Sequence, residues 1–217
     1  MTDRFTDSFP GILALFNDVA PGSEGDYETW FQTEHLAERL SVPGFLIGRR
    51  HEAVSGSPRY FNYYVTQSAD VLKSDAYLAR LGDPTPMTRK VMSAVFKNMN
   101  RTVCRRTHRA GTMAGVAVIT VRFTRKADEA QLKSAADALV RDIAVACAEV
   151  WMAVSPSEFP VSEEERLRGG DRKIESCILV ETLRVQDAER IAGDLSRDFA
   201  EAEIGVYRRL CELRSSN

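Results

Sequence analysis

The chain has no large excess of either charge, few histidines, few and scattered cysteines, and no long hydrophobic run. Its formal net charge is −2 over 217 residues, so no overall basic field exists to hold nucleic acid or an anionic membrane. The four cysteines, Cys104, Cys147, Cys177 and Cys211, form no CxxC and no ligand-like spacing. They read as reduced small hydrophobes of a cytoplasmic protein, rather than as disulfides or zinc ligands. No apolar run approaches the ~20 residues of a membrane span. The opening stretch MTDRFTDSF is polar and acidic, unlike a signal peptide. GxGxxG, GxxxxGK, GxSxG, HxxxH and HExxH are all missing, which leaves no motif for a dinucleotide, a nucleotide phosphate, a serine nucleophile or a catalytic zinc.

What is present gathers between Asp26 and Glu52, in DYETWFQTEHLAERLSVPGFLIGRRHE. Tyr27, Phe31, Glu34, His35 and Glu38 fall within an arc of about 100° on a helix. Trp30, Leu36, Ala37 and Leu40 continue it as an apolar stripe. His35 is therefore expected at the margin of the buried face, half covered and half in a cavity. Pro43 and Gly44 end the helix. From Phe45 the chain alternates as a strand, with Phe45, Ile47, Arg49 and His51 on one face and Leu46, Gly48, Arg50 and Glu52 on the other.

Along the chain, strands are expected at 11–17, 45–52, 59–66 and 101–109, with helices after Ser68 to about Leu81 and from about Met87 to Met99. Strand, helix, strand, strand, helix, strand is the ferredoxin-like order. It recurs as strands at 115–123, 149–154, 174–182 and 204–213, with a long alanine-rich helix at 127–148, a charged connection at 155–173 and a helix at 185–202. The fold class is α+β, as two tandem ferredoxin-like (βαββαβ) modules. Residues 1–110 carry the candidate site, and 111–217 form a second module acting as a lid or dimerisation unit. A single sheet with helices on one face leaves the other bare. Two sheets face to face cover it and can curl into a barrel, within one chain or between two.

Trp30, Glu34-His35, Arg39-Leu40, Val42-Pro43-Gly44-Phe45, Gly48-Arg49-Arg50, Pro58-Arg59-Tyr60, Tyr64, Ala76-Tyr77, Pro84-Thr85-Pro86 and Thr88-Arg89 together resemble the dimeric α+β barrel superfamily, on its EthD-like branch. The resemblance covers the first half; the second follows only in element order and has no counterpart of Trp30 or His35. It implies a homodimer and one site per chain. The superfamily it points to holds cofactor-free monooxygenases, lactone isomerases, polyketide cyclases and dehydratases, and chlorite dismutase-like haem proteins.

His35 is the candidate general base, since an imidazole titrates near neutrality and can take a proton from a carbon acid or a phenol. The competing reading is a half-buried histidine bonded to a carbonyl and packed on Phe31. Substrate-binding candidates are Trp30, Phe31, Arg49, His51, Asn62, Tyr64 and Asp18. Arg49 and His51 would orient a carboxylate or enolate oxygen if their face lines the barrel, or pair with Glu34 or Glu38 if it meets the helices. Tyr60, Asn62 and Tyr64 would add hydroxyl and amide groups, or serve as core. Asn17 and Asp18 would reach the same cavity or only form the loop. His35 or His108 could serve a haem; with no other haem-type residues, the expectation is no cofactor and no metal. The function expected is cofactor-independent proton transfer on a small, partly aromatic or polyketide-like metabolite, or else non-catalytic binding of such a ligand.

Overall fold

Three strands, β3 (Tyr60–Thr66), β5 (Ala117–Phe123) and β7 (Ser176–Thr182), are buried at every residue, which a sheet achieves only when both of its faces are covered. The computed structural model describes residues 9–216 and shows how. Together with β1 (Gly11–Val19), β2 (Phe45–Ser55), β4 (Phe96–Ala110), β6 (Val145–Ala153) and β8 (Glu203–Arg214), these strands form one closed barrel in the order β1-β3-β2-β8-β5-β7-β6-β4. The order β4-β1-β3-β2 in the first half repeats as β8-β5-β7-β6 in the second. The halves join through two antiparallel seams, β2 with β8 and β4 with β6. The face expected to need a second sheet is thus covered within the chain, and covering it gives no motive for a homodimer. The polar residues 1–8 of the opening stretch lie outside the described residues. No described helix is long and apolar enough to cross a membrane.

Helices pack on the outside. In the first half, α1 spans residues 24–40, with α geometry at Glu24–Trp30 and Leu36–Leu40 and a π turn at Phe31–His35 between them. A 3-10 turn, Ala69–Lys73, leads to α2 (Asp75–Gly82), whose N-terminus is capped by Ser74. Then α3 runs through residues 86–95 as Pro86–Lys90 and a π turn, Val91–Val95, with Thr85 as cap and proline in its first turn. The expected helix at 87–99 stops there because Phe96 opens β4. The second half carries α4 (Glu129–Leu139) and α6 (Val185–Asp198). Between β6 and β7, the charged connection holds a short helix, α5 (Glu163–Arg168), started by Ser162 and stopped by Gly169 in the left-handed conformation (φ 81°).

The long helix expected at 127–148 is corrected: it ends at Leu139, and β6 starts at Val145. Alanine favours a helix locally, but Asp142 turns the chain, accepting from the Ala144 N–H at 2.9 Å and from Arg190 at 2.7 Å. The rest pairs with β4 and β7, and pairing across a barrel outweighs intrinsic propensity. The simple alternation in β2 is also corrected. The register shifts between Phe45 and Ile47; such a bulge puts two residues opposite one. Phe45 turns to the helical side, against Tyr64 and Tyr77, while Ile47 faces the barrel interior with Phe61, Tyr63 and Trp151.

Gly48 permits the close seating of α1 on this sheet. A Cβ built there would come within 2.7 Å of Leu36, 2.9 Å of Leu40 and 2.9 Å of Tyr64, with α1 packed against the strand. Gly48→Val should cost about 1–3 kcal/mol or more by overpacking, read as a lowered urea midpoint. An unchanged midpoint would mean that α1 can lift from β2 freely.

Candidate active site

The π turn of α1 carries His35, and a widened turn of this kind redirects the side chains it holds. The imidazole is 5% exposed, so it is buried outright rather than half covered. Its ring stacks on Trp30, with centroids 4.0 Å apart and planes 27° apart, and meets the edges of Phe31 and Tyr64 at 5.2 and 6.3 Å. Trp30 is fixed in turn. Its indole N–H donates to Thr88 Oγ1 at 2.9 Å, and the Thr88 hydroxyl donates to Glu34 Oε1 at 2.7 Å. The Thr85 hydroxyl donates to the same carboxylate oxygen at 2.6 Å while capping α3. The start of α3 therefore holds the aromatic plate on which the histidine rests.

His35 borders a small cavity between α1, α3 and the outer face of the sheet, with about 20 Å³ of free space, enough for one water molecule. Its walls mix apolar side chains, among them Leu13, Phe31, Met92, Phe96 and Met99, with the charged Arg39, Arg101, Glu164 and Arg168. Four buried polar atoms of lining residues have no hydrogen-bond partner: His35 Nδ1, Asn62 Oδ1, Tyr64 OH and Arg39 Nη1, the last in a 3.6 Å ion pair with Glu38. Asn62 is oriented through its amide N–H, which donates to Tyr27 OH at 2.9 Å; that hydroxyl donates to Asn17 Oδ1 at 3.3 Å. Native proteins rarely leave such atoms unsatisfied unless water or a ligand serves them.

The cavity is closed by the second half of the chain. Glu164 of α5 receives a hydrogen bond from Arg39 of α1 in an ion pair buried on both sides. Arg168 of the same helix grips Asp171 through two bonds, at 2.8 and 2.6 Å, and touches Met92. Both Glu164 and Arg168 line the cavity.

Burial pushes His35 well below the ordinary histidine range, and the guanidinium groups of Arg39, Arg168 and Arg50 push it further. The imidazole is therefore neutral at pH 7, with a lone pair free, and is a weaker base than an ordinary histidine. Tyr64 moves the other way: burial raises its pKa far above the usual phenol value, against the pull of Arg39. It stays a hydroxyl, able to donate.

Trp30, Phe31, Asn62 and Tyr64 line the cavity with His35; Arg49, His51 and Asp18 do not. Arg49 and His51 face the barrel interior, one of the two placements open to them from sequence, because the register pairs Arg49 with Tyr63 and Arg50 with Asn62. Arg49 does not reach Glu34 or Glu38: it donates to Glu181 and Tyr63 at 2.6 Å each and to Glu212 at 2.6 Å. His51 Nδ1 lies 3.1 Å from the Phe61 carbonyl, so Nδ1–H donates there, and its ring stacks on Phe61 and Tyr63. Asp18 is a loop anchor, accepting from the Arg59 N–H at 2.7 Å and from Asn98 at 2.8 Å. As site residues, sequence reasoning passed over Arg39, Arg50, Tyr77, Glu164 and Arg168; Arg101 opens RTVCRRTHR, an arginine-rich strand that suggests either an anion site or an outward, solvated face. Arg39 could have been found, since it lies four residues after His35 on the same helix. Glu164 and Arg168 come from a charged connection that no periodicity ties to α1.

No family model matches this chain, and no curated protein matches it. Solved structures do match, across nearly the whole chain. An anthrone oxidase-like protein superposes with a TM-score of 0.60 at 12% identity, covering 98% of this chain and 96% of its own. A monooxygenase-like protein of Fusobacterium nucleatum gives 0.57 at 9%, with 95% of each chain covered. The chlorite dismutase of Candidatus Nitrospira defluvii, in complex with imidazole, gives 0.52 at 11%, covering 93% and 92%. At these identities the likeness establishes the α+β barrel fold that these proteins share, and the fold alone.

His35 and His51 do not fit a haem. The space at His35 is about 20 Å³, far below a macrocycle, and His51 is sealed among barrel aromatics. His108 lies nearer the surface, bonded to Asp137 at 2.8 Å. Among the described residues, no three His, Cys, Asp or Glu side chains gather as metal ligands would.

Burial sets a pH dependence. His51 is held near about 3 in place of 6.5, chiefly by desolvation, and His35 is also depressed. Below pH 6.5 the unfolded chain binds protons that the folded chain refuses, so stability falls with pH, by up to about 1.4 kcal/mol per unit for each histidine. Urea unfolding at about pH 5 should give a stability about 2 kcal/mol or more below that at about pH 7.5, and His51→Phe should reduce the difference. Equal stabilities at the two pH values would contradict neutral burial.

Proposed function

We propose that the chain is an enzyme of small-molecule metabolism in which neutral His35 removes a proton from a carbon acid or a phenol, without a cofactor. The observation that carries this reading is that His35, Asn62 and Tyr64 line one cavity and each has a buried polar atom, Nδ1, Oδ1 and OH, without a hydrogen-bond partner. Each has a distinct chemical part. His35 Nδ1 accepts the proton, and Trp30, stacked beneath, holds the ring in place. Tyr64, kept protonated by burial, donates to the oxygen on which charge develops. Asn62 Oδ1 accepts from a substrate hydroxyl or amide. Arg39 and Arg168 at the wall favour an anionic intermediate over a neutral one. Isomerisation, dehydration and elimination all follow from this one step.

With room for about one water, the cavity admits a metabolite only when α5 moves outward, so the Arg39–Glu164 pair is the proposed latch. The repeated strand order supports two tandem ferredoxin-like modules, residues 1–110 and 111–217, with the second supplying the lid. A homodimer would then pair through outer surfaces, because both sheets already cover each other.

The test is a screen of small enolisable and phenolic compounds for proton exchange or turnover, followed by His35→Gln. A base should lose about 100- to 10,000-fold in kcat, with KM changed far less. A ligand-binding protein would bind a screened compound without converting it, and His35→Gln would leave that affinity intact. Dependence of turnover on dioxygen would instead favour a cofactor-free monooxygenase using the same deprotonation.

A further inference from the structure

A second, larger space lies beneath residues 155–173. It has about 150 Å³ of free volume, the size of a cavity that takes one benzene ring. Val103, Val154, Phe159, Val161 and Ile174 are among its apolar walls. Val103, Val154 and Phe159 belong to the same apolar cluster as Trp30, Phe31 and Met92 around His35. Arg101 lines both this groove and the His35 cavity, so a ring held in the groove stands beside the wall of that cavity.

The charges of the groove balance. Two cations, Arg101 and Lys173, and two carboxylates, Glu165 and Glu175, line it. Lys173 pairs with Glu165 at 3.3 Å. Arg101 is half-buried, donates to Tyr77 OH at 3.0 Å and lies in the field of Asp171 and Glu164. Glu175 is exposed, where solvent and salt screen it. A charged ligand entering here would give up its hydration and find no unmet partner, whereas an uncharged ring gains by leaving water.

We infer that this groove binds a small, uncharged aromatic compound, with its ring among Val103, Val154 and Phe159. This names the substrate class for the proposed reaction, a phenol or a ring-bearing ketone rather than an aromatic acid, and rests on that reading for its role in turnover; binding itself needs only the apolar wall.

The experiment titrates the full chain at neutral pH with benzyl alcohol, benzoate and benzylammonium, single-ring probes of nearly equal size, following valine methyl resonances by NMR. Benzyl alcohol should saturably shift Val103, Val154 and Val161, and leave Val118 of the barrel interior and Val180 of the second-half core unmoved. It should bind about tenfold or more tighter than either ion, since only the ions lose hydration without compensation. Val161→Trp, at a 57% exposed position of the strap where the fold tolerates change, should fill the groove and weaken benzyl alcohol by about tenfold or more. An ion that binds as tightly as the alcohol, shifts outside the groove, no saturation, or binding unchanged by Val161→Trp would overturn the inference. His35→Gln separates the two claims, since it should abolish turnover and leave benzyl alcohol bound. Lost turnover with no binding in the groove leaves the base and removes the groove ligand; binding with turnover unaffected by the substitution does the reverse.

Discussion

The two strand seams, β2 with β8 and β4 with β6, are the constraint on which the rest of the molecule depends. They close eight strands into a barrel from a single chain, and an eight-stranded barrel is only just wide enough for its own side chains. Its interior is accordingly filled by Phe16, Phe61, Tyr63, Trp151 and Tyr207. The charges inside are paired: Arg49 with Glu181, and Glu149 with Arg106 and Arg109. Losing one partner of such a buried pair leaves the other charge stranded and costs far more than an exposed pair is worth. Arg49 and His51 are thereby committed to structure, and room for a ligand is left outside, between sheet and helices.

Closure also breaks the symmetry of the halves. Because β6 lies beside β4, the connection that follows β6 passes onto the helical layer of the first half, where α5 packs against α2 and α3. The first half supplies the histidine and its aromatic plate; the second supplies Glu164 and Arg168. The resulting wall has more cationic than anionic groups near His35, which keeps the imidazole neutral and makes a developing anion welcome. One local network, Glu34 through Thr88 to Trp30, converts the capping of a short helix into the placement of the His35 ring.

Much of the fold was legible in the sequence because it rests on local pattern. Alternation in RYFNYYVT, punctuation by Pro43-Gly44 and by Gly82 to Pro86, and the recurring element order all point to the observed strands and helices. Where the sequence misled, a non-local term won. Val145 to Glu149 is a strand because two neighbours pair with it, despite its alanines. The bulge between Phe45 and Ile47 moved Phe45 off the face it was expected to share with Arg49 and His51. For the site, the motif around His35 places Trp30, Phe31 and His35 together, and alternation in β3 puts Asn62 and Tyr64 on one face. Arg101 comes there through the pairing of β4 with β1; Arg168 and Glu164 are brought by barrel closure, which no window of sequence contains.

The central claim is that His35 is a buried, neutral base beside an arginine-rich wall. Its ring resonances, followed by NMR from about pH 8 to about pH 4 with histidine-labelled protein, test that most directly. The account predicts an imidazole that stays neutral well below the ordinary histidine range. A His35 that titrates at or above 6.5, the ordinary histidine value, would place it in solvent or beside a carboxylate, and would contradict both the geometry and the proposed chemistry.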